Sequence, residues 1–190
     1  MRIVDHEARR REITEVAMDL IARVGLEATT LNRIAQEMGA SIRVITHYFA
    51  DKDSLLLEVY RVLALQGQEP ILQVLSRDPA DLAGALTALC GGDEATLKRW
   101  RVYVAFWDKA VRSPMFASEQ RMWIERTLTT IGEVIVARNG DKANVRQLAM
   151  EMISLVYGIS IQRTLDPESW TPGQIASLIA RKVREMDLSS

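Results

Sequence analysis

Apolar residues recur at intervals of three and four along most of the chain, a spacing that places them on one face of an α-helix. In the first such segment, residues 6–24, the repeat includes Ile13, Val16, Ala17 and Leu20. No stretch shows the strict alternation of apolar and polar residues that is typical of a half-buried strand. The pattern therefore predicts an all-α protein.

Glycine, proline and polar turn residues divide the rest of the chain into further helices. The predicted segments are 31–38, 42–47, 53–67, 80–89, 93–112, 115–138, 143–165 and 173–187. Pro70 is the first proline, and we expect it to lie in a break, because a proline inside a helix removes a backbone hydrogen bond. Helices of this number and length predict a bundle.

Two of the predicted helices are short and are joined by a tight turn at residues 38–41. Each begins at a hydroxyl residue that can cap it, Thr30 for the first and Ser41 for the second. This is the plan of a helix-turn-helix, whose second helix enters the major groove of DNA. Residues 38–50 contain no carboxylate, which DNA phosphates would repel. The same pattern also fits a compact three-helix subdomain that does not bind DNA.

Composition limits the possible classes of protein. The 190 residues are 48% hydrophobic and 26% charged, as in ordinary globular proteins, and the net charge is −1. DNA binding would therefore depend on a local surface rather than on the overall field. The single cysteine fits a reducing compartment, no apolar run is long enough to cross a membrane, and residues 1–11 lack the apolar core of a signal peptide. We expect a cytoplasmic protein with no membrane partner.

No pattern of catalytic residues is found in the sequence. The two histidines, His6 and His47, have no companions at metal-ligand spacing, and no phosphate-binding glycine loop or serine nucleophile motif occurs. We therefore expect no enzyme activity, no metal and no cofactor. A helical interaction protein without sequence-specific DNA binding is the alternative to a DNA-binding regulator.

The N-terminal residues resemble the signature of the TetR family of repressors. The matching positions are Gly25-Leu26-Glu27-Ala28-Thr29-Thr30, Ile34-Ala35, Met38-Gly39-Ala40-Ser41, Ile45-Thr46-His47-Tyr48-Phe49, Asp51-Lys52 and Leu55-Leu56. This resemblance implies a homodimer with a helix-turn-helix DNA-binding domain, residues 1–52, and a helical-bundle domain for effector binding and dimerisation, residues 53–190. It also implies a repressor that a small molecule releases from a palindromic operator in double-stranded DNA.

The resemblance further implies which residues contact DNA. It places Thr30, Tyr48 and Lys52 on the phosphate backbone, while other positions of the second short helix read bases or flanking phosphates. The predicted DNA-binding set is Thr30, Ser41, Arg43, Val44, Thr46, His47, Tyr48 and Lys52. Thr46 stands where many members carry tyrosine, so the operator sequence does not follow from the resemblance. The three arginines at 9–11 fit either a phosphate-contacting arm or a solvated helix face.

Aromatic residues are concentrated in the predicted helix 93–112. The predicted ligand-binding set is Trp100, Tyr103, Phe106, Trp107 and Trp123. These residues fit either a packed core or a pocket for a small organic effector. The segment resembles, more loosely, the BetI-type branch of the family, the repressors of the choline pathway, which implies a quaternary amine held by aromatic faces. An apolar or aromatic ligand suits the same residues, and Glu151 is the carboxylate that we expect as a counter-charge.

The helix predicted at 143–165 is apolar on two faces and therefore needs two partners. One partner is the core of its own domain, and the second is the same helix of another subunit, as the family fold implies. The last predicted helix, 173–187, adds further apolar positions. The residues predicted for the dimer interface are Leu155, Ile159, Ile175, Leu178 and Ile179.

Overall fold

The computed structural model describes residues 6–140 and 143–189, and this part of the chain forms nine α-helices and no strand. The helices are α1 (His6–Ala28), α2 (Leu31–Glu37), α3 (Ile42–Tyr48), α4 (Lys52–Leu75), α5 (Leu82–Cys90), α6 (Glu94–Arg112), α7 (Pro114–Asn139), α8 (Val145–Leu165) and α9 (Pro172–Ser189). The predicted all-α architecture is confirmed. Within the described residues, no helix combines the length and the apolar character that a membrane span requires. Residues 1–5 of the segment compared with a signal peptide lie outside the described part.

The helix-turn-helix forms as its local signals predict. The hydroxyl of Thr30 accepts a hydrogen bond from the Arg33 amide at 3.2 Å and so caps α2. The turn that follows needs a left-handed residue, which Gly39 supplies with a φ of 60°. Ile45 and Phe49 are fully buried and fix α3 against the neighbouring helices.

The fourth helix is longer than the sequence indicates, and the break predicted at Pro70 is wrong. Helix α4 continues through this proline to Leu75. Proline lacks the amide that would bond to the carbonyl of Gln66, one turn earlier. A guanidinium nitrogen of Arg99, on α6, donates to that carbonyl at 3.4 Å and partly replaces the missing hydrogen bond. The compensation comes from a distant helix, so the local sequence gives no sign of it.

Buried side chains form two hydrophobic cores that meet at α6. The first core joins α1–α3 and the first half of α4 to Val102 and Phe106 of α6. The second core joins α5, α8, α9 and part of α7 to Trp100 of α6. Tyr103 packs against both cores. The boundary predicted at 52/53 falls at the start of α4, whereas the side chains of α4 up to Ala64 pack with the helix-turn-helix.

Three of the five residues predicted for the dimer interface are buried within the protomer. Ile159, Ile175 and Ile179 are at most 3% exposed and pack in the second core. They turn inward because α5 packs against both α8 and α9 and covers those faces. Leu155 and Leu178 remain half-exposed at the edge of this core. The three isoleucines therefore belong to the protomer's interior and not to its surface.

A buried arginine holds the connection between α5 and α6. The Nη1 atom of Arg163 donates to the carbonyls of Cys90 and Gly91 at 3.4 and 3.1 Å, and Nη2 donates to the carbonyl of Asp93 at 3.2 Å. The carbonyls of Cys90 and Gly91 lie at the C-terminal end of α5, where the helix leaves its last carbonyls without amide partners of its own, whereas the carbonyl of Asp93 also accepts from the Leu97 amide at the start of α6. Arg163 thus fixes the point from which α6 begins.

We expect Arg163→Met to lower the free energy of unfolding by about 2–4 kcal/mol, because buried carbonyls would lose their donor. Urea unfolding followed by circular dichroism measures this change. The matched control is Arg181→Met on the exposed face of α9, which should change stability by no more than about 0.5 kcal/mol. Equal, small effects of both substitutions would contradict the role of Arg163.

Candidate DNA interface and ligand cavity

The exposed face of α3 carries the polar residues that the sequence predicts for DNA contact. Arg43, Thr46 and His47 are exposed, while Val44 and Tyr48 are half-buried beside them. Because α3 is fixed by its apolar face, these side chains project outward together. The surface is polar and cationic, and the described residues 38–50 add no carboxylate to it.

Helix α1 extends this surface through a residue that the sequence interpretation missed. The ring of His6 lies 5.8 Å from the ring of His47 and 5.6 Å from that of Tyr48, measured between centroids. The rings of His47 and Tyr48 meet edge to face at 5.0 Å. Together with Arg9 and Arg43, these rings line an open groove between α1 and α3. A single histidine far from the motif carries no sequence signal for this contact, which depends on the packing of α1.

Of the three arginines at 9–11, Arg10 makes contacts within the protomer that fit neither a free phosphate-contacting arm nor a fully solvated face. Its guanidinium donates to the carbonyl of Tyr48 and pairs with Glu58, both at 3.1 Å. It also lies 4.5 Å from the centroid of the Phe49 ring. Arg10 therefore joins the C-terminal end of α3 to α1 and α4, which makes it a positioning residue for the DNA-facing helix.

Lys52, which the sequence predicts as a phosphate contact, has a structural role within the protomer. Its ammonium donates to the carbonyls of Leu26 and Glu27 at 2.7 and 3.2 Å. These carbonyls lie in the last turn of α1, just after the interruption at Gly25, where φ is 81°. An ammonium has three donors, so one N–H remains for a phosphate.

A narrow cavity lies between α4, α6, α7 and α8. Its volume is about 30 Å³, enough for one or two water molecules. The lining residues are Leu63, Ala64, Gly67, Gln68, Ile71, Leu89, Arg99, Trp100, Tyr103, Trp123, Thr127 and Tyr157. An organic molecule can enter only if these walls move apart.

Three of the five predicted ligand-binding residues line this cavity: Trp100, Tyr103 and Trp123. Phe106 does not, because it is fully buried in the first core, with its ring stacked 5.9 Å from that of Phe116. The prediction of Phe106 as a ligand contact is therefore wrong for this conformation. Cavity residues Trp100 and Tyr103 and core residues Val102 and Phe106 thus lie on different faces of the same stretch of α6.

Trp107 lies behind the cavity wall. Its ring is 6.4 Å from that of Trp100 and 5.4 Å from that of Tyr157, and its indole nitrogen is buried without a hydrogen-bond partner in the described structure. Tyr157, from α8, lines the cavity directly and was missed as a ligand residue. The signal for it was a tyrosine on an otherwise aliphatic helix face.

The tyrosine hydroxyls around the cavity are neutral. Burial raises the pKa of Tyr60, Tyr103 and Tyr157 above the ordinary value. They can donate or accept hydrogen bonds but supply no negative charge at neutral pH. A charged ligand must therefore find its partner in another side chain.

The carboxylate nearest to this aromatic cluster is Glu119, so the expectation for Glu151 is wrong. Glu119 is 8% exposed and accepts hydrogen bonds at 3.0 Å from Trp123 Nε1, Arg61 Nε and Arg61 Nη2. Glu151 is exposed and accepts a hydrogen bond from Gln147 of its own helix at 3.1 Å. The signal for Glu119 was its position four residues before Trp123, on the same helical face. Its charge is matched by Arg61.

Both halves of the chain match known protein families. The sequence profile of bacterial regulatory proteins of the tetR family matches residues 13–59. The profile of the C-terminal region of BetI-type transcriptional repressors matches residues 73–187. The HTH-type transcriptional regulator BetI of Klebsiella pneumoniae is 31% identical over 185 residues, which cover 93% of each chain.

Solved structures share the fold. A transcriptional regulator from Rhodococcus sp. Rha1 superposes with a TM-score of 0.85 at 23% identity, covering 95% of this chain and 96% of that one. A putative transcriptional regulator from Saccharomonospora viridis, solved in complex with choline, gives a TM-score of 0.74 at 21% identity, with coverage of 94% and 96%.

Proposed function

The chain belongs to the TetR family of bacterial regulatory proteins, with a C-terminal region of the BetI type, and we propose that the α3 surface and the cavity beside α6 are its two working parts. The protein is a ligand-responsive, DNA-binding transcriptional repressor that a small molecule releases from its operator. Nothing in its relatives supports an interaction protein without DNA binding, and the relatives are regulators, not enzymes. We place its action in the cytoplasm, where its DNA target lies.

In this proposal, α3 enters the major groove and its exposed side chains read the operator. Arg43, Thr46 and His47 reach base edges, because they project furthest from the packed face of the helix. The phosphate-contacting set is Thr30, Ser41, Tyr48 and Lys52, with His6 beside it. Val44 has no side-chain donor and its amide is bonded to Ser41, so it can contact DNA only through apolar contact with bases. The observation that carries the DNA-binding assignment is the carboxylate-free face of α3, held at a fixed angle by Arg10.

We expect Arg43→Ala and Lys52→Ala to weaken DNA binding in different ways. Loss of a base contact at Arg43 should change base preference by about 1–3 kcal/mol. Loss of the phosphate contact at Lys52 should weaken binding to all sequences and reduce the salt slope by about one unit per subunit. Fluorescence anisotropy with DNA from upstream of the protein's own gene, at several salt concentrations, measures both effects.

Arg181→Ala, on the exposed face of α9, serves as the control and should leave both quantities unchanged. Thermal unfolding of the Lys52 variant must be measured in parallel, because Lys52 also caps α1. If Lys52→Ala is folded and the salt dependence of its DNA affinity is unchanged, Lys52 does not contact phosphate.

The proposed target is a palindromic operator bound by a homodimer. Two recognition helices must span half-sites about 34–36 Å apart, which one protomer cannot do. The outer face of α8 supports a second copy: Met150 and Leu165 are 50% and 75% exposed, and the small residues Ser154 and Gly158 lie between them. Their spacing forms one stripe that can pack on its own copy about a two-fold axis. Leu155 of the same helix borders the stripe, and Leu178 of α9 is half-exposed and stays a predicted interface residue.

We expect Gly158→Arg to give a folded monomer. A Cβ atom at Gly158 meets no atom within 4 Å in the protomer, so the added side chain disturbs only a second copy. Gly173→Arg is the control, since Gly173 has the same freedom and lies outside the stripe. Sedimentation equilibrium should show twice the 21.4 kDa chain mass for the wild type and the control. A monomeric wild type, or a Gly158→Arg dimer as tight as the control, would contradict the interface.

The proposed effector is a small organic molecule that enters the cavity between Trp100, Tyr103, Trp123 and Tyr157. Aromatic faces attract organic cations by ~0.5–2 kcal/mol each, and a structural relative was solved with choline. A quaternary amine is therefore the first class to test. Because the cavity holds only about 30 Å³, the ligand must displace α4 or α6 and thereby favour a conformation that binds operator less tightly.

Saturating choline should lower operator affinity about 5- to 150-fold, the usual range for coupling between two sites. We expect Trp100→Ala to lose this response, because Trp100 forms a wall of the cavity. Trp170→Ala, in the loop before α9, is the control and should retain the response. A full choline response in the Trp100 variant would show that this cavity is not the effector site. No response in the wild type would exclude choline as the effector.

A further inference from the structure

One charged side chain lines the cavity among the described residues, and it is Arg99. It precedes Trp100 on α6 and also lines the outer groove between α1 and α6, next to Gln66 and Lys98. Arg99 therefore borders both the cavity and the outer groove, and its guanidinium donates to the carbonyl of Gln66 in that groove. A molecule that enters between the aromatic walls from this side passes this charge.

The guanidinium of Arg99 has no ion-pair partner in the described part of the chain. Its hydrogen bonds go to two neutral oxygens, the carbonyl of Gln66 and Thr96 Oγ1, and both are long at 3.4 Å. Arginine has five N–H donors, so most of its capacity is unused. Burial lowers the pKa of Arg99 from its ordinary value, and the attraction of Asp93 only partly opposes this effect.

The carboxylates around Arg99 have other partners or lie outside the cavity lining. Asp93, whose charge attracts Arg99, accepts a hydrogen bond from the Thr96 amide at 2.7 Å and does not line the cavity. Asp19, across the outer groove, pairs with Lys98. Glu15 lines only the outer groove. Glu119, on the far side of Trp123, is held by Arg61. The charge that the cavity itself presents to a ligand is therefore positive.

The structural use of Arg99 does not require an arginine. Its bond to Gln66 replaces the one that Pro70 removes, and a single donor is enough for this purpose. The planar fork of a guanidinium is distinguished by its ability to bind a carboxylate through two parallel hydrogen bonds.

We propose that the effector carries a carboxylate, which Arg99 binds while the aromatic walls hold an apolar or trimethylammonium group at the other end. This inference rests on the proposed function, because it names the chemistry of the ligand for the same cavity. A cation without a carboxylate, such as choline, can still bind among the rings, but less tightly, because its charge approaches Arg99 without an anion to offset it. A carboxylate satisfies the free N–H donors and leaves the rest of the molecule among the rings.

Four probes of nearly equal shape separate the two ends of the ligand. Glycine betaine and tert-butylacetic acid both carry a carboxylate, with a charged and an uncharged head respectively. Choline and its tert-butyl analogue, in which carbon replaces nitrogen, carry a hydroxyl instead. Calorimetric titration at neutral pH and constant ionic strength should show each carboxylate binding about 10- to 100-fold more tightly than its hydroxyl partner. Comparison within the head-group pairs shows which head group the rings prefer.

The variants test whether Arg99 is the cause. Arg99→Gln should remove the carboxylate preference and leave the affinity for the uncharged tert-butyl analogue of choline unchanged, which also reports that the cavity is intact. Choline should bind at least as tightly as to the wild type, because a like charge has been removed. Arg99→Lys should restore part of the preference. Arg101→Gln, two residues along α6 and exposed, is the control and should behave as the wild type.

Equal binding of carboxylate and hydroxyl probes by the wild type would overturn the inference, as would a carboxylate preference that survives in Arg99→Gln. Absence of binding by both carboxylates would also overturn it. Failure of the proposed function gives a different result. In that case a probe binds the protein, but the affinity for operator DNA does not change.

Discussion

The structure depends on the packing of α6, whose side chains are shared between two hydrophobic cores. Val102 and Phe106 are fully buried against the helix-turn-helix and the first half of α4, whereas Trp100 packs with α5, α8 and α9. Tyr103 contacts both. Closely packed side chains cannot shift on one face of a rigid helix without a change at the other. The DNA-facing unit and the ligand cavity are therefore mechanically joined through this helix.

The small volume of the cavity links the proposed ligand binding to movement of the helices that line it. Its 30 Å³ cannot hold an organic molecule, so binding must separate α4 from α6 or α8. Leu63 and Ala64 of α4 line the cavity and also belong to the first core, together with Phe49 at the end of α3. A ligand that opens the cavity thus disturbs residues that position the recognition helix. Arg10 joins α3 to Glu58 on α4, so in the proposed mechanism it connects a movement of α4 to the recognition helix.

Local sequence signals were sufficient for the helix-turn-helix and for much of the aromatic cavity. A cap at Thr30, a left-handed Gly39 and helical spacing each act within a few residues, so they can be recognised without a structure. Long-range contacts could not be predicted in this way. Arg99 of α6 bonds to the Gln66 carbonyl that Pro70 leaves without an amide partner, and Arg61 of α4 pairs with Glu119 of α7. Helix α5 covers the face of α8 that carries Ile159. Each of these contacts joins helices that are far apart in the sequence.

A distance measurement between the two recognition units of a dimer tests the coupling through α6 most directly. Gln36→Cys places a spin label on the exposed face of α2, and Cys90 will not compete, because burial raises the pKa of its thiol to about 11. Double electron–electron resonance then gives the distribution of distances between the two labels, with and without a saturating small-molecule ligand. We predict that the ligand shifts this distribution as operator affinity falls. An unchanged distribution, in a protein whose operator affinity does fall on ligand binding, would contradict the coupling.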